Sequence, residues 1–371
     1  MKSKHFLLAC SVVMLSCTSA HQPSVSGMAG QDERVSSLLL KDFRPRSLHK
    51  TMETRIERAA FPVIDMHSHA YPKTIEDIDE WVETMDKLGI DKTVLLTGQT
   101  GKAFDSLMTV YANYNDRFIL FCGFDYTGYD RPGFGPAAVK ELERCVAMGA
   151  KGVGELGDKG WGEMYSKPQR GLGMHPDDAR MKPLFDKCAE LNLPVSIHVA
   201  DPIWMYQPMD SLNDGLMNAF KWRLDDKADI LDHAGMMEVL AKVVADNPHV
   251  TFIACHNANL SHDLASLALL LDQFPNLYVD NAAQYGETSV TPRTAAKFYK
   301  KYADRIVYGT DMGMDEEMYR TTMRILETED EHFYDHRISA YHWSMNGFGL
   351  DNDVLEKIYR LNAIKLLGLG Q

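Results

Sequence analysis

The sequence predicts an α/β fold that closes into a (β/α)8 barrel of the TIM type, and three observations lead to this prediction. From residue 61 onward, short β-rich runs alternate with longer amphipathic stretches, as in repeated βα units. The runs are almost continuously apolar, which suits parallel strands buried on both faces. Eight runs fit within roughly 300 residues, so we expect a closed barrel and not an open, doubly wound sheet.

The predicted elements follow in order along the chain. Strands are expected at residues 62–70, 92–98, 117–125, 150–157, 194–200, 250–259, 277–283 and 306–311. Helices are expected at residues 75–88, 136–148, 180–191, 235–246, 261–274 and 293–303. The first helix carries Ile78, Trp81, Val82, Met85 and Leu88 on one face at helical spacing. Thr74, directly before it, is a suitable N-cap residue.

The start of the 371-residue chain has the features of an export signal. Lysines precede an apolar stretch that is too short to remain in a bilayer as a helix, so residues 1–20 are predicted to be a signal peptide. The sequence Met-Leu-Ser-Cys that ends at Cys17 resembles the lipobox of bacterial lipoproteins. We therefore expect a lipid on Cys17 and attachment to a membrane; the alternative is ordinary cleavage near Ala20, which gives a secreted protein.

The rest of the chain divides into a polar N-terminal part and one large domain. Residues 21–58 are rich in Ser, Gln, Arg and Lys and are expected to form a tether and an N-terminal arm. Residues 59–371 would form the barrel. The net charge of −13 argues against nucleic acid as the main ligand. The barrel's cysteines show no CxxC spacing, so we predict small buried side chains and no disulfide framework: Cys122, Cys145, Cys188 and Cys255.

Chemically competent residues stand at the predicted carboxyl ends of five strands. The first strand ends in Asp-Met-His-Ser-His, and residues two apart in a strand point to the same side, so His67 and His69 can reach one ion. Four later strands end with Glu155, His198, His256 and Asp311. Because barrel enzymes place their active sites at this end, we expect all six side chains to converge. Together they predict a metal site, which none of them predicts alone.

The type of ligand indicates the metal and the chemistry. Imidazoles and carboxylates without a thiolate suit a divalent ion, zinc first, with manganese, iron or nickel as alternatives. The predicted ligands are His67, His69, Glu155, His198 and Asp311, which would hold one or two ions. An open coordination position would give an activated water at neutral pH. Asp311 would take the proton of that water, and His256 would stabilise the oxyanion or protonate the leaving group.

Substrate contacts are expected from residues around this site. The connection at residues 201–234 is longer than a βα loop needs, and such insertions often carry function, although its aromatic residues could instead cover the rim of the barrel. The predicted contacts are Trp204, Tyr206, Arg223 and Arg180, with further aromatic candidates at Trp161, Tyr165 and Tyr285. His175, His233 and His342 are weaker candidates. The substrate itself is expected to be a small molecule.

The order of these residues resembles the amidohydrolase superfamily. The segments YGTDMG at 308–313 and NAIKLLGL at 362–369 are similar to its amidohydrolase-related subgroup, and the likeness covers about residues 61–369. The resemblance implies His67, His69, His198 and Asp311 as metal ligands and His256 as the catalytic histidine. Glu155 departs from several one-metal members and is similar to the binuclear hydrolases of the wider superfamily.

The resemblance leaves more than one activity open. It implies a metal-dependent hydrolase that cleaves a C–O or C–N bond of a lactone, ester or amide. The first alternative is a non-oxidative decarboxylase, in which Arg180 or Arg223 would bind the substrate carboxylate. The second alternative is a binding protein on a barrel without activity, which the presence of a suitable residue at every chemical position disfavours. Relatives of this type also suggest a homodimer, by analogy only.

Overall fold

The structure is a computed structural model that describes residues 36–157, 159–160, 167–337 and 341–370. The expected signal peptide, Cys17, Trp161 and Tyr165 lie outside these residues. The chain separates into a short unit, Met1–Phe43, and a large one, Arg44–Gln371. In the short unit, the described residues include a 3-10 turn at Leu40–Asp42. The large unit contains the barrel.

The described residues contain the eight strands that the sequence predicts; seven are shorter than expected, and the second has the expected length but begins two residues earlier. They are β1 (Val63–Ser68), β2 (Ile90–Leu96), β3 (Phe118–Phe121), β4 (Val153–Leu156), β5 (Val195–Ile197), β6 (Phe252–Ala254), β7 (Leu277–Asp280) and β8 (Ile306–Val307). Every neighbouring pair is parallel, in the orders β1-β2-β3 and β4-β5-β6-β7-β8. The strands run in sequence order, as expected for consecutive βα units.

Two sets of backbone contacts join these ladders into a closed barrel. Cys122, after β3, forms a parallel bridge with Val153 of β4. On the other side, Met66 of β1 donates its N–H to the carbonyl of Tyr308 at 2.8 Å, and Asp311 donates its N–H to the carbonyl of His67 at 3.0 Å. The predicted (β/α)8 barrel is therefore confirmed.

Helices connect and flank the strands. They are α1 (Ile75–Leu88), α2 (Gly101–Val110), α3 (Pro136–Met148), α4 (Lys182–Glu190), α5 (Leu216–Ala219), α6 (His233–Asp246), α7 (Leu264–Gln273), α8 (Tyr285–Thr288), α9 (Pro292–Lys301), α10 (Glu316–Glu327), α11 (Asn352–Glu356) and α12 (Asn362–Leu367). Thr74 caps α1 as predicted, in a reciprocal capping box with Asp77. The predicted helix start at residue 180 is two residues before the observed one. Ala179–Met181 forms a 3-10 turn, and α4 begins at Lys182, directly before Pro183.

The N-terminal arm packs against the barrel from residue 45 onward. His336 binds the carbonyl of Pro45 at 2.7 Å through its Nε2 atom. Further along, Thr54 donates both its N–H and its hydroxyl to the carboxylate of Asp330, at 2.6 and 2.8 Å. Asp330 is fully buried and also pairs with Arg324. These bonds to a buried carboxylate fix the arm to the side of the barrel near α10.

The long connection between β5 and α6 is an ordered segment with its own small core. It contains a 3-10 turn at Ile203–Tyr206 and the short helix α5. Trp204, Met205 and Leu224 are buried together, and Trp343 lies against Trp204 with ring centroids 6.1 Å apart. Within the described part of the chain, no helix combines the length and the apolar character needed to cross a membrane.

Candidate metal centre and active site

The four predicted histidines meet at the carboxyl ends of the strands. The rings of His67 and His69 are 5.5 Å apart, that of His256 lies 4.8 Å from His67, and that of His198 lies 4.6 Å from His256, all between centroids. His67, His198 and His256 are buried, whereas the side chain of His69 is 32% exposed. The convergence predicted from the sequence is therefore present in the structure.

Hydrogen-bond acceptors hold one ring nitrogen of three histidines, which leaves the other nitrogen facing the centre. The Nδ1 atom of His67 lies 2.9 Å from Oδ2 of Asp280. Carbonyl oxygens hold the Nδ1 atoms of two others, that of Leu96 for His69 at 2.8 Å and that of Ala282 for His256 at 2.9 Å. In these three rings the Nε2 atom points inward, as in histidines that bind a metal ion through Nε2. His198 is turned the other way: its Nδ1 atom lies 2.5 Å from Oε1 of Glu155, and its Nε2 atom lies 3.5 Å from Asp201.

Two carboxylates complete the cluster. Glu155 directs Oε1 at His198, His256 and His67 (2.5, 3.5 and 3.9 Å) and Oε2 at His69 (3.7 Å). Asp311 directs Oδ1 at His69 and His67 (3.0 and 3.8 Å) and Oδ2 at His256 (3.7 Å). All six predicted chemical residues thus lie within one small volume.

The arrangement fits a divalent cation. Ligands at about 2.1 Å from a tetrahedral zinc ion are roughly 3.4 Å apart, and most of the distances between Nε2 atoms and carboxylate oxygens here are 3.0–3.9 Å. The Nε2 atom of His67 is buried and has no hydrogen-bond partner among the described residues. Such an orphan is costly unless an ion binds it. Groups of His67, His69 and Glu155 and of Glu155, His198 and His256 each have their ligand atoms within 4.8 Å of one another.

The imidazoles and carboxylates of the cluster stabilise each other's charged forms. Burial opposes charge on His67, but the carboxylates of Asp280, Asp311 and Glu155 outweigh it and raise the pKa of His67 to about 10. Burial likewise acts against ionised Glu155, yet the surrounding imidazoles hold the pKa of Glu155 well below its usual value. The same balance lowers the pKa of Asp311 to about 2. Both carboxylates are therefore anionic at neutral pH, and this is the form in which they bind metal ions.

An unusual backbone turn positions His256. Instead of continuing β6 as predicted, residues 256–259 all adopt positive φ values of 51–59°. Non-glycine residues rarely adopt this left-handed conformation, and it costs free energy at each position. Asp280 stabilises the turn, because its Oδ1 accepts the N–H of His256 at 2.8 Å. The turn aims the His256 ring into the centre, which an extended strand would not do.

A cavity of about 680 Å³ opens directly over the cluster. Its floor contains His69, Glu155, His198, His256 and Asp311. Part of its wall comes from the 201–234 segment, including Met205, Asn218 and Leu224. The volume is sufficient for a small molecule of drug size. The long connection therefore lies beside this cavity.

The predicted substrate contacts fall in different places. Arg223 lines the cavity but pairs with Asp225 through two contacts of 2.7 Å. Trp204 and Tyr206 belong to the core of the 201–234 segment and do not line the cavity. Arg180 lies away from the cavity, where it pairs with Asp178 at 2.7 Å and donates to the carbonyl of Tyr129. Arg180 is therefore not among the described residues that line the cavity, and its position gives no support to the predicted contact with substrate.

The weaker candidates are structural as well. The hydroxyl of Tyr285 donates to the side chain of Asn281 and to the carbonyl of Gly309, inside the barrel wall. His233 caps a turn through the carbonyl of Asn259 at 3.0 Å. Neither these two nor His175 or His342 is among the described residues that line the cavity.

Several functional positions were not found by the sequence analysis. Asp280 holds both His67 and the turn at His256, and an aspartate in the apolar run of β7 was the signal that could have revealed it. Asp201 faces His198 and forms a 2.7 Å ion pair with Lys159. Tyr71 donates its hydroxyl to Asp311 at 3.2 Å, and Glu287 lines the cavity wall. Only the fold brings these residues to the site.

Comparison with known proteins agrees with this geometry. A family model described as amidohydrolase matches residues 13–369. The chain belongs to the amidohydrolase family. Among curated proteins, a search finds no significant match to this amidohydrolase. The family and the similar solved structures are those of metal-dependent enzymes on TIM barrels.

Solved structures share the fold at low sequence identity. A 2,6-dihydroxybenzoate decarboxylase from Rhizobium is 18% identical, with a TM-score of 0.54 over 83% of this chain and 99% of its own. A putative amidohydrolase from Staphylococcus aureus has the same identity, a TM-score of 0.53 and coverages of 83% and 99%. A 5-carboxyvanillate decarboxylase from Novosphingobium aromaticivorans, complexed with manganese, is 17% identical, with a TM-score of 0.51 and coverages of 86% and 100%. At these identities the likeness concerns the fold alone.

Proposed function

We propose that this amidohydrolase is a metal-dependent hydrolase that cleaves a C–O or C–N bond in a small molecule, with lactones, esters and amides as substrates. The observation that carries the proposal is the position of Asp311. It contacts two ligand histidines on one side, His256 on the other, and the cavity above. A base and an acid thus face the same small volume, as the hydrolysis of an acyl bond requires.

Asp311 is the group that accepts a proton from the attacking water. A divalent ion, when bound, supplies Lewis acidity that polarises a carbonyl and lowers the pKa of water. The Oδ1 atom of Asp311 accepts the hydroxyl of Tyr71, which fixes the orientation of the carboxylate and leaves Oδ2 toward His256. Asp311 donates its backbone N–H to the carbonyl of His67, which fixes Asp311 at the end of the barrel wall.

His256 is the group that stabilises the developing oxyanion or gives a proton to the leaving group. Burial opposes its charge, but hydrogen bonding to Glu155 and the nearby carboxylates raise the pKa of His256 to about 8. Its Nδ1 atom is bound to the carbonyl of Ala282, so the Nε2 atom is the one that faces the substrate. Nε2 is therefore the atom through which His256 would donate a hydrogen bond or a proton.

Metal content and turnover, measured on the same variants, test this proposal. His67→Ala should lose bound metal and activity together, whereas His256→Ala should keep metal and lose most turnover. Glu155→Ala tests the number of ions, because a fall from about two to about one per chain would make Glu155 a ligand of a two-metal site. A His67→Ala variant with full metal would contradict the ligand assignment. Metal without turnover of any lactone, ester or amide, and without decarboxylation of any acid, would favour a binding barrel.

The histidine-rich ligand set favours zinc, while the manganese in the similar 5-carboxyvanillate decarboxylase makes that ion the second candidate. Elemental analysis of purified protein, followed by reconstitution of the metal-free form with each ion, separates the two. Restored activity with manganese alone would contradict the preference for zinc.

A second candidate activity is non-oxidative decarboxylation. Basic side chains line the cavity, among them Lys159, Lys221, Arg223 and Lys227, and could bind a substrate carboxylate. Two of the similar solved structures are decarboxylases of aromatic acids. Release of carbon dioxide from hydroxybenzoates, without hydrolysis of any lactone, ester or amide, would establish this alternative over the first.

We also propose that the protein is exported and anchored through Cys17. The support is the lipobox-like sequence alone. Cys17→Ser should abolish labelling with a radioactive fatty acid and release the protein from membranes, and unchanged membrane association would contradict the anchor.

A further inference from the structure

Glu287 is a buried acid in the cavity wall that the metal centre does not use. It belongs to α8, which directly follows β7 at the active-site end of the barrel. Only 8% of the residue is exposed, yet it is one of the residues that line the cavity. It is in none of the groups with metal-binding geometry among the described residues. The charge of His256 also acts on its carboxyl group.

The surroundings of Glu287 favour a neutral carboxyl group. Among the described residues it forms no ion pair with lysine or arginine, and a buried carboxylate without a cation is strongly disfavoured. Its Oε1 atom accepts the hydroxyl of Tyr341 at 2.8 Å. Burial raises the pKa of Glu287 to about 8, although the Tyr341 hydrogen bond and the charge of His256 act in the opposite direction. A neutral carboxyl both donates and accepts hydrogen bonds.

Tyr341 and its neighbours hold this acid in a fixed position. The Tyr341 ring stacks on Trp343 with centroids 4.4 Å apart, and Asn218 donates to the Tyr341 hydroxyl at 3.1 Å. Trp343 donates its indole N–H to the carbonyl of Gly286 at 3.0 Å. A Cβ atom on Gly286 would lie 2.3 Å from the Tyr341 ring, so the close approach requires glycine there. Such pre-organised polar groups are typical of positions that select a substrate.

We propose that Glu287 is a specificity-determining residue that hydrogen-bonds an oxygen of the substrate outside the scissile group. The inference rests on the proposed hydrolase function and narrows its substrate class to oxygen-rich molecules, such as hydroxylated lactones, esters or amides. The basic residues of the wall add further donors for the same kind of substrate. A substrate with an apolar acyl group would bury the Glu287 carboxyl without a hydrogen bond to the substrate, which lowers the affinity for that substrate.

Paired substrates and matched variants test this inference. Each hydroxylated substrate is compared with its deoxy analogue, beginning with glucono-δ-lactone and δ-valerolactone, and kcat/KM is measured on metal-loaded protein. Glu287→Ala should lower kcat/KM for the hydroxylated member about tenfold, the effect of one hydrogen bond, and that for the deoxy member by less than about twofold. Glu287→Gln keeps a donor and an acceptor and should retain the preference.

Glu327 provides a control of the same kind. It is also a partly buried glutamate that accepts a tyrosine hydroxyl, that of Tyr359 at 2.9 Å, and burial raises its pKa, but it does not line the cavity. Glu327→Ala should change stability without changing the substrate preference. If Glu287→Ala lowered kcat/KM equally for the hydroxylated substrate and its deoxy analogue, the inference would be overturned. A Glu287→Gln variant as impaired as Glu287→Ala would overturn it too, because a carboxylate would then be required. A wild-type protein that holds metal but hydrolyses no panel member would instead refute the proposed function on which the inference rests.

Discussion

Replacing Asp280 by asparagine should weaken metal binding through a change of tautomer at His67. The Oδ1 atom of Asp280 accepts two backbone N–H groups, from His256 at 2.8 Å and Ala282 at 3.1 Å. An asparagine must therefore keep its carbonyl oxygen at this position. Its NH2 group then takes the place of Oδ2, which lies 2.9 Å from Nδ1 of His67. The ring would have to accept a hydrogen bond there and carry its proton on Nε2, where the metal binds.

The expected size of the effect follows from the role of such partners. Loss of the group that orients a metal-binding histidine costs 10–100-fold in metal affinity, or about 1.4–2.7 kcal/mol. The fold should survive, because the two backbone bonds that shape the turn remain. The dissociation constant is measured by competition with a chelator of known affinity, with metal-free protein as the starting point.

Asp65→Asn is the matched control for this experiment. Asp65 is equally buried and accepts the N–H of His67 at 3.1 Å, but it does not contact the ring. Its other partner is Thr310, whose hydroxyl can reverse its hydrogen bond to an amide. Metal affinity should change by less than about threefold in this variant. Equal losses in Asp65→Asn and Asp280→Asn, or none in Asp280→Asn, would refute the tautomer argument.

Three further predictions concern other parts of the site. A Cβ atom on Gly157 would lie 1.7 Å from the carbonyl oxygen of His198. Gly157→Ala should therefore lower the free energy of unfolding by about 1–3 kcal/mol or more, the cost of overpacking. An unchanged urea midpoint would contradict this prediction. Tyr71→Phe removes the 3.2 Å hydrogen bond to Asp311 and should lower kcat about three- to tenfold, with the metal content unchanged. Loss of metal in this variant would instead make Tyr71 part of the metal site. The pKa of Glu287 is about 8 in the folded state, against 4.5 ordinarily, so wild-type stability from this group is lost as pH rises between these values. Glu287→Gln should gain up to about 1.4 kcal/mol per pH unit relative to wild type, and a constant difference in urea unfolding would show that the acid is ionised.

The barrel could be predicted because its pattern is repeated. Eight apolar runs separated by amphipathic stretches leave few alternatives, and a single wrong boundary does not change the result. The boundaries of individual elements were predicted less accurately. The predicted strand at 250–259 ends at Ala254, because the backbone turns left-handed at His256. The helices α2, α5, α8, α10, α11 and α12 were not among those predicted, and α2 begins in a Thr-Gly-Gln-Thr-Gly run that is typical of a loop.

The chemical residues could be predicted for a different reason. His67, His198, His256 and Asp311 stand at the ends of apolar strands, where a polar side chain needs an explanation. Arg180 and Trp204 were chosen by residue type and proximity in the sequence, and such arguments do not determine which way a side chain points. Arg180 instead forms an ion pair with Asp178. Glu287 was missed because it is neither in a strand nor in a motif, and only the folded chain places it on the cavity wall.

The anchoring of the histidines bears on the roles proposed for them. His67 is held through Nδ1 by the carboxylate of Asp280, which increases the electron density on the inward nitrogen and favours metal binding. His69 and His256 are both held by neutral carbonyl oxygens, so the outer partner alone does not separate a metal ligand from a catalytic acid. The Asp280→Asn variant therefore tests the ligand role of His67, whereas the metal content of His256→Ala tests the role proposed for His256.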